Sequence, residues 1–85
     1  METERSETLL FSDAVLRMIN CAHDYDSRLL EPCKDLCYKW SKETGMKAAI
    51  EKVDKTIAGW RTELSSITDK KEQMEKFKTL VESAV

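Results

Sequence analysis

From Phe11 the apolar residues fall at Val15, Met18, Ala22, Tyr25, Leu29 and Leu36, spaced alternately by four and three and finally by seven. That spacing is a heptad seam, the signature of helices that pack side by side. It runs through the polar stretch "HDYDS" without a change of phase. Pro32 lies in the same region, and within a helix it removes one backbone hydrogen bond and crowds the preceding turn. Either residues 7–43 form one kinked helix, or the first helix ends early and Pro32 opens a second. Asp24, Asp26 and Ser27 prefer caps to helix interiors and tip the reading towards a break.

After Gly45 a second seam runs through Met46, Ile50, Val53, Ile57, Trp60, Leu64 and Ile67. Gly45 fits the position just beyond a helix C-terminus, where a positive φ closes the last turn. From Thr68 the frame fails, because Lys71 and Lys78 would occupy seam positions while Met74, Phe77, Val81 and Ala84 define a new phase. Asp69 followed by Glu72 resembles a capping box and marks the start of a last helix. The pattern predicts helices over about 7–24, 27–43, 46–66 and 69–84 in a single domain, 1–85. The fold class is all-α: a small antiparallel bundle of three or four helices with heptad-like seams.

The two halves differ in the width of their apolar stripes. Beside the Phe11 seam runs a second stripe of Leu9, Leu16, Ile19, Leu30, Cys33, Cys37 and Trp40, with Asp13, Asn20, Ser27, Lys34 and Ser41 opposite. A helix with a wide stripe meets more than one neighbour. The first half is therefore either the centre of the bundle or the carrier of a contact surface, and Leu9, Leu16, Ile19 and Leu30 are its candidate partner-binding residues.

Composition supports this picture. Charged residues make up 35% and hydrophobic residues 41% of the chain, with two glycines and one proline, too apolar for disorder and too poor in turn formers for a many-stranded β fold. At 85 residues the core must be efficient or shared, since small domains bury a low fraction of their surface. The net charge is −2 with the signs interleaved, which argues against nucleic acid as a partner because phosphate binding uses a concentrated basic surface. The start "METERSETLL" has acids where a secretory leader would be basic, and no apolar run is long enough to span a membrane. A cytoplasmic, reducing location is expected, in keeping with an odd number of cysteines.

Candidate chemistry centres on "EPCKDLCYKW". Cys33 and Cys37 are four apart and share one helix face, so together with Cys21 and His23 they could supply a metal- or redox-responsive site. Their position between Leu30 and Trp40 favours the simpler role of small buried hydrophobes, and no metal or cofactor is expected. The CxxxC spacing occurs twice in small mitochondrial intermembrane-space chaperones, but a second motif here would need cysteine at 17 or 25, which hold Arg17 and Tyr25. His23 and Cys21, two residues apart, point in different directions on a helix, and no Gly-rich loop or nucleophile elbow is present, so no enzyme is expected. "DKKEQMEKFK" sets lysines around Phe77 in the manner of a single-strand nucleic-acid site, yet its interleaved acids suit a solvated helix face better. Trp40 and Trp60 both occupy apolar helical positions and are expected in the core. The function expected is a protein–protein interaction module, an adaptor, inhibitor or assembly subunit, whose partner is another protein or a second copy of the chain; the alternative is the metal- or redox-responsive module.

Overall fold

A computed structural model describes the backbone of residues 2–85 and the side chains from Glu7 onward. Among these residues there are four α-helices: α1 (Glu2–Tyr25), α2 (Leu30–Thr44), α3 (Met46–Ser65) and α4 (Lys70–Ala84), with a 3₁₀ turn at Ser27–Leu29 between α1 and α2. The chain is an all-α bundle. Helix α1 begins five residues earlier than the apolar pattern predicts, because nothing between Glu2 and Thr8 is apolar and periodicity has no purchase there.

The break before Pro32 is real. Asp26 adopts an extended backbone, and its carboxylate accepts the Arg28 N–H at 3.0 Å, capping the 3₁₀ turn. Pro32 then falls in the first turn of α2, where its missing N–H would have had no intrahelical partner. Gly45 closes α2 and opens α3 with φ 90° and ψ 160°, and its N–H donates to the Ser41 carbonyl at 2.9 Å. At the start of α4 the Asp69 carboxylate accepts the Lys71 N–H at 3.2 Å. The expected capping box is half present, since among the described residues Glu72 makes no return bond.

Helices α1, α2 and α3 run up, down and up. Arg17 donates through Nε and Nη2 to Asp54 at 2.9 and 3.3 Å, and Arg61 Nη2 donates to Asp24 at 2.9 Å. Both pairs are offset by the same number of residues, so α1 and α3 are parallel. Between the three helices lie Phe11, Ala14, Val15, Met18, Cys21 and Ala22 from α1, Cys33, Leu36, Cys37 and Trp40 from α2, and Ala49, Val53, Trp60 and Leu64 from α3, all buried. Helix α4 returns antiparallel to α3. Gln73 Nε2 donates to the Leu64 carbonyl at 3.0 Å, and the Phe77 ring stands perpendicular to Trp60 at 5.6 Å and tilted against Tyr25 at 5.4 Å. Lys39 Nζ donates to the Val85 carbonyl at 3.2 Å and ties the end of α4 to α2. The molecule measures 47 × 19 × 18 Å, and α1, about 36 Å long at 1.5 Å per residue, accounts for most of its length.

Among the described residues, one charged side chain is buried. Asp26 is 5% exposed, and the Arg28 guanidinium grips both of its oxygens at 3.0 Å. Those side-chain hydrogen bonds hold its carboxyl below the usual range, aided by the Arg28 N–H and opposed by burial. A carboxylate whose pKa is depressed on folding stabilises fully above its unfolded value of about 3.9, and the contribution disappears as pH falls through the folded value. Asp26→Asn should therefore be less stable than the parent at pH 7, and the gap should close in urea titrations carried below about pH 4. A gap that stays constant to about pH 2.5, well below the ordinary carboxylate range, would mean that the carboxylate charge contributes nothing.

Candidate functional site

The wide stripe expected along the first half is divided by the turn at Asp26. Because the chain folds back there, residues in phase along the sequence do not remain on one surface. Cys33, Cys37 and Trp40 go to the core, whereas Leu9 and Leu16 are 66% and 56% exposed. Ile19 and Leu30 are half-buried against the core edge. On α1 the buried positions Phe11, Met18 and Ala22 define the inner face, and helical spacing puts Leu9 and Leu16 on the line diametrically opposite.

Ile19 and Leu30 complete that outer face from the side of α2. Arg17 and Asp24 mark the flank of α1 that meets α3; Phe11, whose ring lies edge-on to Tyr38 at 5.7 Å, marks the flank that meets α2. Ile19 lies on the α2 flank beside Leu16. Leu29 of the 3₁₀ turn and Pro32, Leu36 and Lys39 of α2 line a groove against α4, so Leu30, Lys34, Tyr38 and Ser41 occupy the other flank of α2, towards α1. Leu16, Ile19, Leu30 and Tyr38 thus border one α1–α2 face, with Leu9 two turns from Leu16 along the outward line of α1. Tyr38, 45% exposed, is the member that apolar periodicity passes over; its flank position on α2 is the signal that finds it.

Electrostatics separate this face from its neighbour. Two of the three ion pairs among the described residues, Arg17–Asp54 and Asp24–Arg61, bridge α1 to α3, and the third is Asp26–Arg28. None of them crosses from α1 to α2. The α1–α3 flank is bridged by charge, although Leu10, 54% exposed, lies on the same line of α1 as Arg17 and Asp24, while the α1–α2 face presents Leu16, Ile19, Leu30 and Tyr38 around Lys34.

The cysteines form a different kind of cluster. All three are free and buried, and Cys21 and Cys37 both lie near enough to Cys33 to raise its pKa further. Burial is the main cause and pushes Cys33 up to about 12 and Cys37 up to about 11, with Cys21 moved in the same direction. Only a thiolate attacks or ligates, so these groups pack as neutral thiols. His23 is exposed in the last turn of α1, away from them, and no set of three acidic, cysteine or histidine residues among the described ones could hold a metal. Native protein at about pH 8, below the ordinary thiol pKa, should leave Ellman's reagent uncoloured and release three thiols per chain once denatured. Cys33→Ala should cost about 1 kcal/mol. Rapid reaction of the folded protein would contradict this packing role.

Phe77 is wholly buried, so the lysines around it have no aromatic platform on which a base could stack. No described helix is long and apolar enough to cross a membrane. The fold defines a class, a small four-helix bundle, with exposed leucines and a tyrosine along its α1–α2 side. Neither family models, nor curated proteins, nor solved structures match the chain.

Proposed function

We propose that the protein is a protein–protein interaction module, an adaptor, inhibitor or assembly subunit, that binds through the α1–α2 face. Leu9, Leu16, Ile19 and Leu30 are the contact residues, joined by Tyr38. The observation that carries this reading is the outward placement of Leu9 and Leu16, exposed on the side of α1 opposite the core. Single exposed leucines are ordinary, but leucines grouped with an isoleucine and a tyrosine on a face without ion pairs mark a contact surface. The occupant is another protein or a second copy of the chain. Two copies related by a twofold axis across α1 would place Leu9 of each against Leu16 of the other, in the self-complementary manner of an isologous interface.

Leu16→Glu and Tyr38→Ala test the reading. Both side chains are exposed, so the melting behaviour should stay within about 0.5 kcal/mol of the parent. Self-association measured by sedimentation, or capture of a partner from the native host, should weaken by about tenfold, the effect of one contact residue of moderate importance. Parent and variants that sediment identically and retain the same partners would overturn it.

A further inference from the structure

Arg28 is 78% exposed along its side chain, yet its guanidinium is fixed. Asp26 takes the Nε and one Nη2 hydrogen of the fork, which leaves about three of its five N–H donors unused. The same corner forms one wall of a cleft of about 470 Å³ lined by Asp26, Arg28, Lys71, Met74, Glu75 and Lys78. That volume is within the range of small-molecule sites.

We propose that this cleft binds a diphosphate-type oxyanion, with Arg28, Lys71 and Lys78 as its ligands and Asp26 as the residue that positions Arg28. Lys71 and Lys78 are seven residues apart on α4 and so share the face turned to the cleft, with Met74 between them. Neither lysine makes an ion pair among the described residues. A planar guanidinium held from one edge and open on the other suits phosphate oxygens, which accept parallel N–H bonds from such a fork. The pairing with Asp26 supplies the order that a free arginine would have to lose rotamer freedom to reach. Glu75 decides the charge of the ligand. Three cations stand against two carboxylates, so an anion of single charge gains little, while one with several negative charges can address the lysines and the fork together. The site is separate from the α1–α2 face, and either can fail without the other.

The experiment is a titration of isotope-labelled protein with sodium pyrophosphate, followed by amide shifts at constant ionic strength. Saturable shifts confined to residues 26–28 and 71–78 are expected. Lys71→Gln and Lys78→Gln should each weaken binding about two- to fivefold, and Glu75→Gln should strengthen it by a similar factor, as expected for exposed charges. Arg28→Lys keeps the charge and loses the fork, and should weaken binding as well. Titration with ADP separates two sources of the same chemistry. Equal affinity points to free diphosphate, and tighter binding points to a nucleotide whose base lies over Met74. The proposal is overturned if the shifts fail to saturate or spread to Lys47, Lys52 and Lys55, or if the folded lysine variants bind as the parent does.

Discussion

Trp60→Ala and Phe77→Ala should each destabilise the protein by about 3–5 kcal/mol, the range for truncating a large buried aromatic. At 85 residues the whole folding free energy is about 4–13 kcal/mol, so either change removes a large share of it. Both rings are buried and meet at 5.6 Å, and Phe77 also leans on Tyr25. They are one contact seen from two helices, so the double variant should cost less than the sum of the single ones. The two changes should also differ in character. Phe77 and Val81 are the buried residues of α4, and a helix of 15 residues is marginal by itself in water. Phe77→Ala should release α4, with fast amide exchange over 70–84, while the three more deeply packed helices stay protected. Denaturant titrations with exchange on each variant would decide, and additive costs with uniform exchange would disprove the role of Phe77 as the peg that holds α4.

The same substitution at the two glycines should have opposite signs. Gly45 sits at φ 90° and ψ 160°, a region nearly exclusive to glycine, where another residue costs about 1–3 kcal/mol. A Cβ added there meets nothing within 4 Å, so the cost of Gly45→Ala is torsional and no repacking of neighbours can relieve it. Gly59 lies in the exposed interior of α3 with ordinary helical backbone and equally open space. Gly59→Ala should add about 0.5–1 kcal/mol by restricting the unfolded chain and favouring the helix. Thermal melts of the two variants beside the parent would show both effects, and a stabilised Gly45→Ala would refute the assigned turn.

The helices are legible in the sequence where local chemistry is unambiguous. Gly45, Asp69 and the loss of frame at Thr68 each identify a boundary that the fold uses, because a left-handed residue, a capping carboxylate and a phase change seldom occur together with an uninterrupted helix. The turn at Asp26 is harder to read. Leu29 and Leu36 keep the spacing of Phe11 to Tyr25, so a single seam describes two antiparallel helices as well as it describes one long one. That coincidence makes Leu9 and Leu16 look like neighbours of Cys33 and Trp40 on a common stripe, whereas the turn sends them to opposite sides. The Arg28 clasp is out of reach of spacing rules, since residues two apart do not face each other on a helix and only the extended backbone of Asp26 allows the pairing. Tyr38 escapes because spacing among aliphatic residues says little about which flank an isolated aromatic will take.

The ion pairs between α1 and α3 are arranged with reversed polarity, arginine to aspartate at Arg17–Asp54 and aspartate to arginine at Asp24–Arg61. A heptad seam is indifferent to sliding by seven residues, because every such step returns apolar side chains to apolar positions. The charges are not indifferent. Sliding α3 by one heptad in one direction sets Arg17 against Arg61, and sliding it in the other sets Asp24 against Asp54. Each pair is exposed and contributes little to the depth of the native minimum, but their alternation acts as a vernier. It marks one alignment among those that the hydrophobic repeat would otherwise treat as equal, so neutralising all four residues should leave a folded bundle whose α1–α3 register has become plural.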